Sequence, residues 1–282
     1  MKIKFLGTGA AEGVPAVFCN CPLCEEVRKR GEQEYHTRSQ VVIDDKLSVD
    51  YPPDAYYHSL RFGVDLKALE FILVTHSHMD HFYAHDFILR GYKYCNEIEK
   101  PLRIYGNAEV KKVFEECTRR ELREDVKDNL IVTELRPFEP ISVGEYIIFP
   151  LKAQHSKTEE ALLFLIEKQG KTYLHLTDTG RLPEESLNAL QAYLTSQGKI
   201  LNFVAFDCTF LYRTAGEISR HMGLGDNAVM REEFLRRKIA NEDTVYAITH
   251  YSHNNNPLKE TLLQAEKDYG VRAAFDGVEF EI

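Results

Sequence analysis

The most constraining feature of this sequence is the stretch THSHMDH, residues 75–81, which directly follows the apolar run 71–74. A short apolar run of this kind predicts a buried strand, so the histidines and the aspartate would leave its carboxyl end. On an extended segment, side chains two positions apart share a face, so His76 and His78 would converge on one point. Asp80 and His81 would reach a second point nearby. We therefore expect this segment to bind metal.

Three later predicted strands also end in residues of metal-ligand type. His155 follows the predicted strand YIIFPLKAQ, Asp178 follows KTYLHLT, and His250 follows TVYAIT. A lone H-x-H pair would be better explained as a coincidence of core or surface histidines. The repetition at strand ends favours metal binding instead, and the number of ligands exceeds the need of one ion. We predict two neighbouring divalent ions, which in two-metal hydrolases lie roughly 3.5–4 Å apart.

Composition narrows the classes of protein to which the chain can belong. Its 282 residues, 44% of them hydrophobic, suffice for one continuous domain over 1–282. Acidic residues outnumber basic ones by 44 to 35, the net charge is −9, and there is no long Lys/Arg block, which argues against a nucleic-acid partner. No apolar stretch approaches the roughly 18 residues of a membrane span, and no secretory pattern begins the sequence. We expect a cytoplasmic protein with no membrane partner.

The predicted secondary structure places strand-rich segments in both halves of the chain, with helices between them. This pattern predicts two sheets packed face to face, with helices on the outside, in the α/β class. Ligands in such a sandwich would come from strand ends. Within the first half, the segment HFYAHDFILRGYKY, residues 81–94, predicts a helix.

A second candidate metal site lies near the amino terminus. Cys19, Cys21 and Cys24 form C-x-C-x-x-C, which supplies three thiolates within six residues. A structural zinc ion needs a fourth ligand, and His253, three residues after His250, is the candidate. The alternative, three reduced cysteines acting as small core residues, stays open.

The central motif, followed in order by the later strand-end ligands, resembles that of the metallo-β-lactamase-fold hydrolases. The resemblance spans almost the whole chain and implies a four-layer αββα sandwich. It also implies two catalytic ions, of Zn²⁺ or Mn²⁺, with Fe²⁺ also compatible. The implied ligands are His76, His78 and His155 for one ion, Asp80, His81 and His250 for the other, and Asp178 as the bridge between them.

Three segments together sharpen this resemblance: GTGAAEGVPAVFCNCPLC, THSHMDH and HYSH. They are similar to the subfamily that contains the cyclic-phosphate phosphodiesterase of the carbon–phosphorus lyase pathway. They also resemble the metallo-hydrolase-like protein of pyrroloquinoline quinone biosynthesis. In the phosphodiesterase group a cysteine cluster and a late histidine hold a structural zinc ion. That likeness supports the same role for Cys19, Cys21, Cys24 and His253.

His221, in the Gly-flanked segment SRHMGLGDN, is a candidate general acid. A loop imidazole can protonate a leaving alkoxide, and the phosphodiesterase family has a histidine of that role shortly before its last metal ligand. A histidine that caps a helix is the plain alternative. His221 and the metal ligand Asp80 are therefore the predicted catalytic residues.

The leading functional hypothesis is a dinuclear metal-dependent phosphodiesterase. Its substrate would be a small or cyclic phosphodiester, attacked by a metal-bridged hydroxide. One alternative is a nuclease of the transfer-RNA 3′-processing type, although the sequence shows no long basic insert that would form its RNA-binding arm. Another is a non-hydrolytic metal-binding protein of cofactor biosynthesis. The sequence leaves the oligomeric state open, a homodimer included.

The remaining histidines and two aspartates receive structural interpretations. His36 and His58 stand without companions and are predicted at the surface, whereas His175 is predicted in the core or on a sheet face. Asp50 and Asp207 end apolar runs, and we expect them to fix loops through hydrogen bonds to backbone amides rather than to bind metal.

Overall fold

A computed structural model describes the chain except for residues 92, 93, 96, 97 and 99 and the side chain of residue 125. Its strands form two seven-stranded sheets. The first has the order β14-β1-β2-β3-β4-β5-β6. Its strands are β1 (Lys2–Gly7), β2 (Gln40–Ile43), β3 (Leu47–Val49), β4 (Phe71–Leu73), β5 (Leu102–Gly106), β6 (Leu130–Glu134) and β14 (Glu279–Glu281).

The second sheet has the order β13-β12-β11-β10-β9-β8-β7. Its strands are β7 (Ile141–Val143), β8 (Tyr146–Lys152), β9 (Leu162–Lys168), β10 (Lys171–Leu176), β11 (Phe203–Asp207), β12 (Val245–Thr249) and β13 (Arg272–Ala273). Strands β3 to β6 run parallel in the first sheet, and β10 to β13 run parallel in the second. The carboxyl ends of parallel strands share one edge, so each sheet collects its strand-end residues there.

Helices cover the outer face of each sheet, as the sandwich prediction required. They are α2 (Ala55–Phe62), α3 (Ala108–Thr118), α4 (Glu124–Lys127), α5 (Glu184–Ser196), α6 (Leu224–Arg236) and α7 (Lys259–Tyr269). The remaining α-helix, α1 (Pro22–Arg30), instead packs through Val27 against Val14 and Leu258. Phe114 of α3 packs in one core cluster with Ile72 of the first sheet. Phe234 of α6 packs in another with Phe206 of the second sheet. The four-layer αββα architecture is therefore confirmed.

The core between the two sheets explains why the strand before the motif is apolar throughout. Phe71 and Leu73 point into the inter-sheet cluster, which also contains Phe164 and Phe203, whereas Ile72 points to the helical side. A strand buried on both faces needs apolar residues at every position. The apolar run 71–74 is thus the sequence signature of a central strand.

The prediction of a helix over 81–94 is wrong for the described residues. A short 3-10 helix, Ala84–Leu89, takes its place, and residues 92 and 93 of that prediction lie outside the described residues. The backbone before it is diverted, because the Tyr83 N–H donates to the Tyr51 carbonyl at 2.8 Å instead of closing a helical turn. The motif loop is thereby tied to the segment that follows β3.

The glycine-rich end of β1 is a place of close backbone approach. A Cβ on Gly7 would lie 1.9 Å from the Arg38 carbonyl oxygen, and one on Gly9 would lie 2.5 Å from that of His36. Only glycine allows the two segments to come this near. Among the described residues, no helix is both long and apolar enough to cross a membrane.

Candidate metal centre

The predicted ligands meet at the edge where the carboxyl ends of both parallel strand sets lie. Asp178 follows β10 and His250 follows β12, while His155 lies in the loop between β8 and β9. Asp50, Asp178 and His250 all adopt left-handed backbone conformations, with φ of 63°, 58° and 65°. Non-glycine residues rarely adopt this conformation, and such residues cluster at functional sites. Here it turns the chain sharply at three strand ends.

The first group of donor atoms comprises those of His76, His78, His155 and Asp178, all within 4.8 Å of one another. His76 Nε2 lies 2.9 Å from His78 Nδ1 and 3.3 Å from Asp178 Oδ2. His155 Nδ1 lies 3.0 Å from Asp178 Oδ1. Three imidazoles and one carboxylate that converge in this way form a donor set suited to a divalent cation.

The second group comprises Asp80, His81, Asp178 and His250. All four are buried, and their donor atoms also lie within 4.8 Å of one another. His81 Nε2 lies 3.2 Å from an oxygen of Asp80 and 3.2 Å from Asp178 Oδ2. The Asp178 carboxylate thus belongs to both groups. This placement is what the predicted bridging role of Asp178 requires.

Unsatisfied buried atoms show that these residues fit metal ions. His81 Nε2, His155 Nδ1, His250 Nε2 and Asp178 Oδ1 are inaccessible to solvent, and none has a partner in hydrogen-bonding geometry among the described residues, although His155 Nδ1 lies 3.0 Å from Asp178 Oδ1. Burying such groups without a partner is costly, and native proteins rarely do so. Nitrogen and oxygen donors aimed at a common point are explained if divalent cations complete them.

Two carboxylates stand directly behind the ligand histidines. Asp50 Oδ2 lies 2.6 Å from His81 Nδ1, and its other oxygen accepts from the Thr75 N–H at 2.8 Å. Asp207 Oδ1 accepts from the Thr209 N–H at 3.0 Å, while its Oδ2 lies 3.3 Å from His250 Nδ1. The predicted bonds to backbone amides are present. The sequence interpretation missed the contacts with histidine, which orient a ligand and fix its tautomer.

Charge and burial act in opposite directions on the site. Burial and the neighbouring His81 lower the pKa of His76, which keeps that imidazole neutral, the form that binds metal. Burial also acts to lower the pKa of His81, but Asp80 and Asp50 outweigh it and raise the net value. Burial acts to raise the pKa of Asp178, but the surrounding histidines, His250 first, hold it well below its usual range.

His221 lies beside these two groups. Its Nδ1 is 3.2 Å from Asp178 Oδ1 and 3.1 Å from Asp207 Oδ2, and its ring stacks on that of His250 with centroids 5.6 Å apart. Burial acts to lower the pKa of His221, but Asp207 outweighs it and raises the pKa to about 9. The helix-capping alternative is not realised, because the Asp226 carboxylate accepts from the backbone N–H of Gly223, the residue before α6.

The cysteine cluster is assembled by the start of α1. Donor atoms of Cys19, Cys21, Cys24 and His253 lie within 4.8 Å of one another, with Cys24 Sγ 3.4 Å from His253 Nδ1. Hydrogen bonds from the Cys24 amide and then from His253 lower the pKa of Cys21 to about 6. Burial raises that of Cys24 to about 11. Three thiols and one imidazole around one point suit a closed tetrahedral zinc site.

Three histidines outside both clusters are buried. The surface prediction for His36 and His58 is wrong, since they are 1% and 0% exposed. Their ring nitrogens lie within hydrogen-bond distance of polar partners, His36 with Thr8 and Pro257 and His58 with Thr37 and Gln40. His175 is fully buried in β10, as predicted.

Comparison with known proteins places this site in context. A sequence-family profile described as "Beta-lactamase superfamily domain" matches residues 52–222. An octanoyltransferase of Porphyromonas gingivalis (strain ATCC BAA-308 / W83) is 27% identical over 199 aligned positions, and the alignment covers 68% of this chain but only 37% of that protein. The chain thus spans little more than a third of this relative's length.

Solved structures of low sequence identity share the fold. A diphosphatase of the PhnP family superposes with a TM-score of 0.70 at 21% identity, covering 100% of this chain and 97% of the other. Zn²⁺-bound PqqB from Methylobacterium extorquens gives 0.68 at 16% identity, with both chains covered completely at 100%. The short form of human tRNase Z gives 0.64 at 15% identity, over 100% of this chain and 99% of the other. With its matching profile, its αββα sandwich and its convergent histidine and aspartate donors, the chain belongs to the β-lactamase superfamily and has the metallo-β-lactamase fold.

Proposed function

We propose that this hydrolase is a dinuclear phosphodiesterase that acts on small or cyclic phosphodiesters. The observation that carries the proposal is the Asp178 carboxylate, which both groups of predicted ligand atoms share, with the His221 imidazole 3.2 Å away. The donor atoms of Asp178, Asp207, His221 and His250 form a further converging group. A shared carboxylate suits a pair of cations, and a flanking imidazole suits a reaction with a poor leaving group.

The proposed ligands divide as the geometry groups them. His76, His78 and His155 would hold one cation, Asp80, His81 and His250 the other, and Asp178 both. When bound, two divalent cations would supply Lewis-acid stabilisation of the charge that develops on phosphoryl oxygens. The nitrogen and oxygen donors suit Zn²⁺, Mn²⁺ or Fe²⁺, and the cysteine cluster suits a structural Zn²⁺.

His221 would donate the proton that the leaving oxygen needs. Its Nδ1 faces Asp207 and Asp178, so the other ring nitrogen is the one left for a substrate. The side chain is 25% exposed, whereas Asp178 and Asp207 beside it are buried. Asp207 would keep the ring oriented and stabilise its protonated form.

The test compares leaving groups in the fully metallated protein. Wild type and His221→Ala are assayed on bis-p-nitrophenyl phosphate, whose leaving group needs no proton, and on an alkyl or cyclic diester, whose leaving group does. We expect the variant to lose about 10²- to 10⁴-fold more rate on the alkyl or cyclic diester than on the aryl diester. Equal losses on both substrates would contradict the acid role of His221.

Two other functions are distinguished by the same preparation. The nuclease alternative rests on the fold similarity to tRNase Z. The net charge of −9 argues against it, and binding of transfer RNA at modest salt is the measurement that tests it. The non-hydrolytic alternative is considered because the fold is also similar to that of PqqB. A metallated protein that hydrolyses none of the phosphodiesters tested would favour this binding role. Because an octanoyltransferase is a partial relative, the panel includes an octanoyl thioester.

A further inference from the structure

Glu159 ties together the two loops that carry the ligands of the first group. It lies four residues after His155, in the loop between β8 and β9. Its Oε2 accepts from the Ser77 N–H at 3.0 Å, and its Oε1 accepts from the Ser77 hydroxyl at 2.8 Å. Ser77 stands between His76 and His78. The Glu159 carboxylate therefore fixes Ser77, the residue between two predicted metal ligands, through two hydrogen bonds.

Asn107 holds Glu159 from the opposite side. The Asn107 amide donates to Glu159 Oε2 at 2.8 Å and to the Glu160 carbonyl at 2.9 Å. Its own oxygen accepts from the Val110 N–H at 2.9 Å and so caps the start of α3. Asn107 is 6% exposed. The carboxylate is thereby anchored to the end of β5 and the first turn of a helix, both rigid parts of the fold.

The turn that presents Glu159 is also fixed locally. The Ser156 hydroxyl oxygen accepts from the backbone N–H groups of Thr158 and Glu159, at 3.2 and 3.3 Å. Beyond the turn, the Leu162 N–H donates to the Thr75 carbonyl at 2.7 Å, which joins the start of β9 to the motif loop. Glu159 thus sits in a preformed turn between two points where the loops already meet.

We propose that Glu159 is a positioning residue that sets the place of His76 and His78 relative to His155. The inference rests on the proposed function for the metal site itself. Glu159 is absent from every group of converging donor atoms among the described residues, so it holds the ligands in position through Ser77 and the loop backbone. Groups that orient ligands in this way typically change metal affinity by about 10- to 100-fold.

The variants separate orientation from charge. Glu159→Ala removes all three hydrogen bonds to the side chain. Glu159→Gln keeps an oxygen that accepts from Ser77 N–H and Asn107, and its amide can donate to the Ser77 hydroxyl oxygen. Glu160→Ala is the matched control, because the Glu160 side chain is 51% exposed and its ion pair within the described part of the chain is with Lys152, at 3.4 Å.

The experiment measures metal affinity rather than turnover. Each full-length protein is first stripped of metal. It is then refilled by titration, once with Zn²⁺ against a competing chelator and once with Co²⁺ while its visible spectrum is recorded. We expect Glu159→Ala to weaken one of the catalytic-site affinities about 10- to 100-fold, and Glu159→Gln to restore it to within a few-fold. The affinity of the cysteine cluster and all affinities of Glu160→Ala should match those of the wild type.

Two results would overturn the inference: unchanged affinities in Glu159→Ala, or a Glu159→Gln variant as weak as Glu159→Ala. If Glu159→Ala fails to fold, Ser77→Ala removes only the Oγ contact and should weaken the same affinity to a smaller degree. A wild type that binds its metals but cleaves no phosphodiester would contradict the proposed function and leave the affinity comparison valid.

Discussion

Two sets of buried histidines lie in this protein, and they differ in one respect. His36 and His58 have a polar partner near both ring nitrogens, supplied by Thr8, Pro257, Thr37 and Gln40. In contrast, His81, His155 and His250 each have a buried ring nitrogen without a hydrogen-bond partner among the described residues. His175 Nε2 is also buried and unpartnered, but it belongs to no group of converging donor atoms in that part of the chain. A predicted metal ligand is therefore marked by an unsatisfied atom together with convergence on other donors, which a bound cation would complete.

The largest effect is expected from removing Asp178, the carboxylate that both groups of predicted ligands share. In Asp178→Ala both donor groups lose their shared member, so the two catalytic metals should be lost. Phosphodiester hydrolysis should fall by at least about 10³-fold. Elemental analysis and initial rates are the measurements, with Asp243→Ala, an exposed aspartate, as control. Retention of both metals and of activity in Asp178→Ala would refute the assignment.

The next prediction concerns the contribution of the cysteine cluster to the thermal stability of the protein. Cys24→Ser should remove one zinc ion per chain and lower the thermal midpoint by roughly 5–10 °C, because a structural metal contributes directly to folding free energy. Turnover per metallated catalytic site should change little. Cys117→Ser, in α3 and outside the cluster, is the matched control. A thermal midpoint equal to that of the wild type would support three reduced core cysteines instead.

The satisfied set predicts a smaller effect, which depends on pH. Burial lowers the pKa of His36 to about 4, whereas in the unfolded chain the value is about 6.5. Between these values only the unfolded state binds the proton, so the stability contributed by neutral His36 is lost as pH falls. In His36→Gln, the free energy of unfolding should depend less steeply on pH over this range, by up to about 1.4 kcal/mol per pH unit. Denaturant unfolding at several pH values measures this slope, and identical slopes would contradict the expectation.

The ends of buried strands were the parts most accessible to sequence reasoning. An apolar run such as 71–74 predicts a central strand, and a residue of metal-ligand type just after it indicates the edge of the sheet where a site forms. That reasoning located the residues that the structure brings together, from His76 to His250. It also anticipated that His253 would meet the cysteines.

What sequence reasoning missed depends on contacts between distant segments. The segment 81–94 has helical periodicity, but its backbone is captured by Tyr51, a residue far away in the chain. His36 and His58 have polar neighbours in sequence, yet tertiary packing buries them. Asp50 follows β3 and Asp207 ends β11, and that position at a strand end was the signal in the sequence that they could stand behind ligands. Glu159 had no signal, because its role depends on Asn107 and Ser77.

The two sheets contribute separate halves of the metal centre, which has a consequence for folding. The motif loop follows β4 of the first sheet, whereas Asp178 and His250 follow strands of the second. An intermediate with only one formed sheet would offer an incomplete set of ligands and would bind the cations weakly. Metal binding would then favour the docked state over every partly folded one, by an amount that grows with the logarithm of free metal concentration. The candidate metal centre would thus also hold the two halves of the fold together.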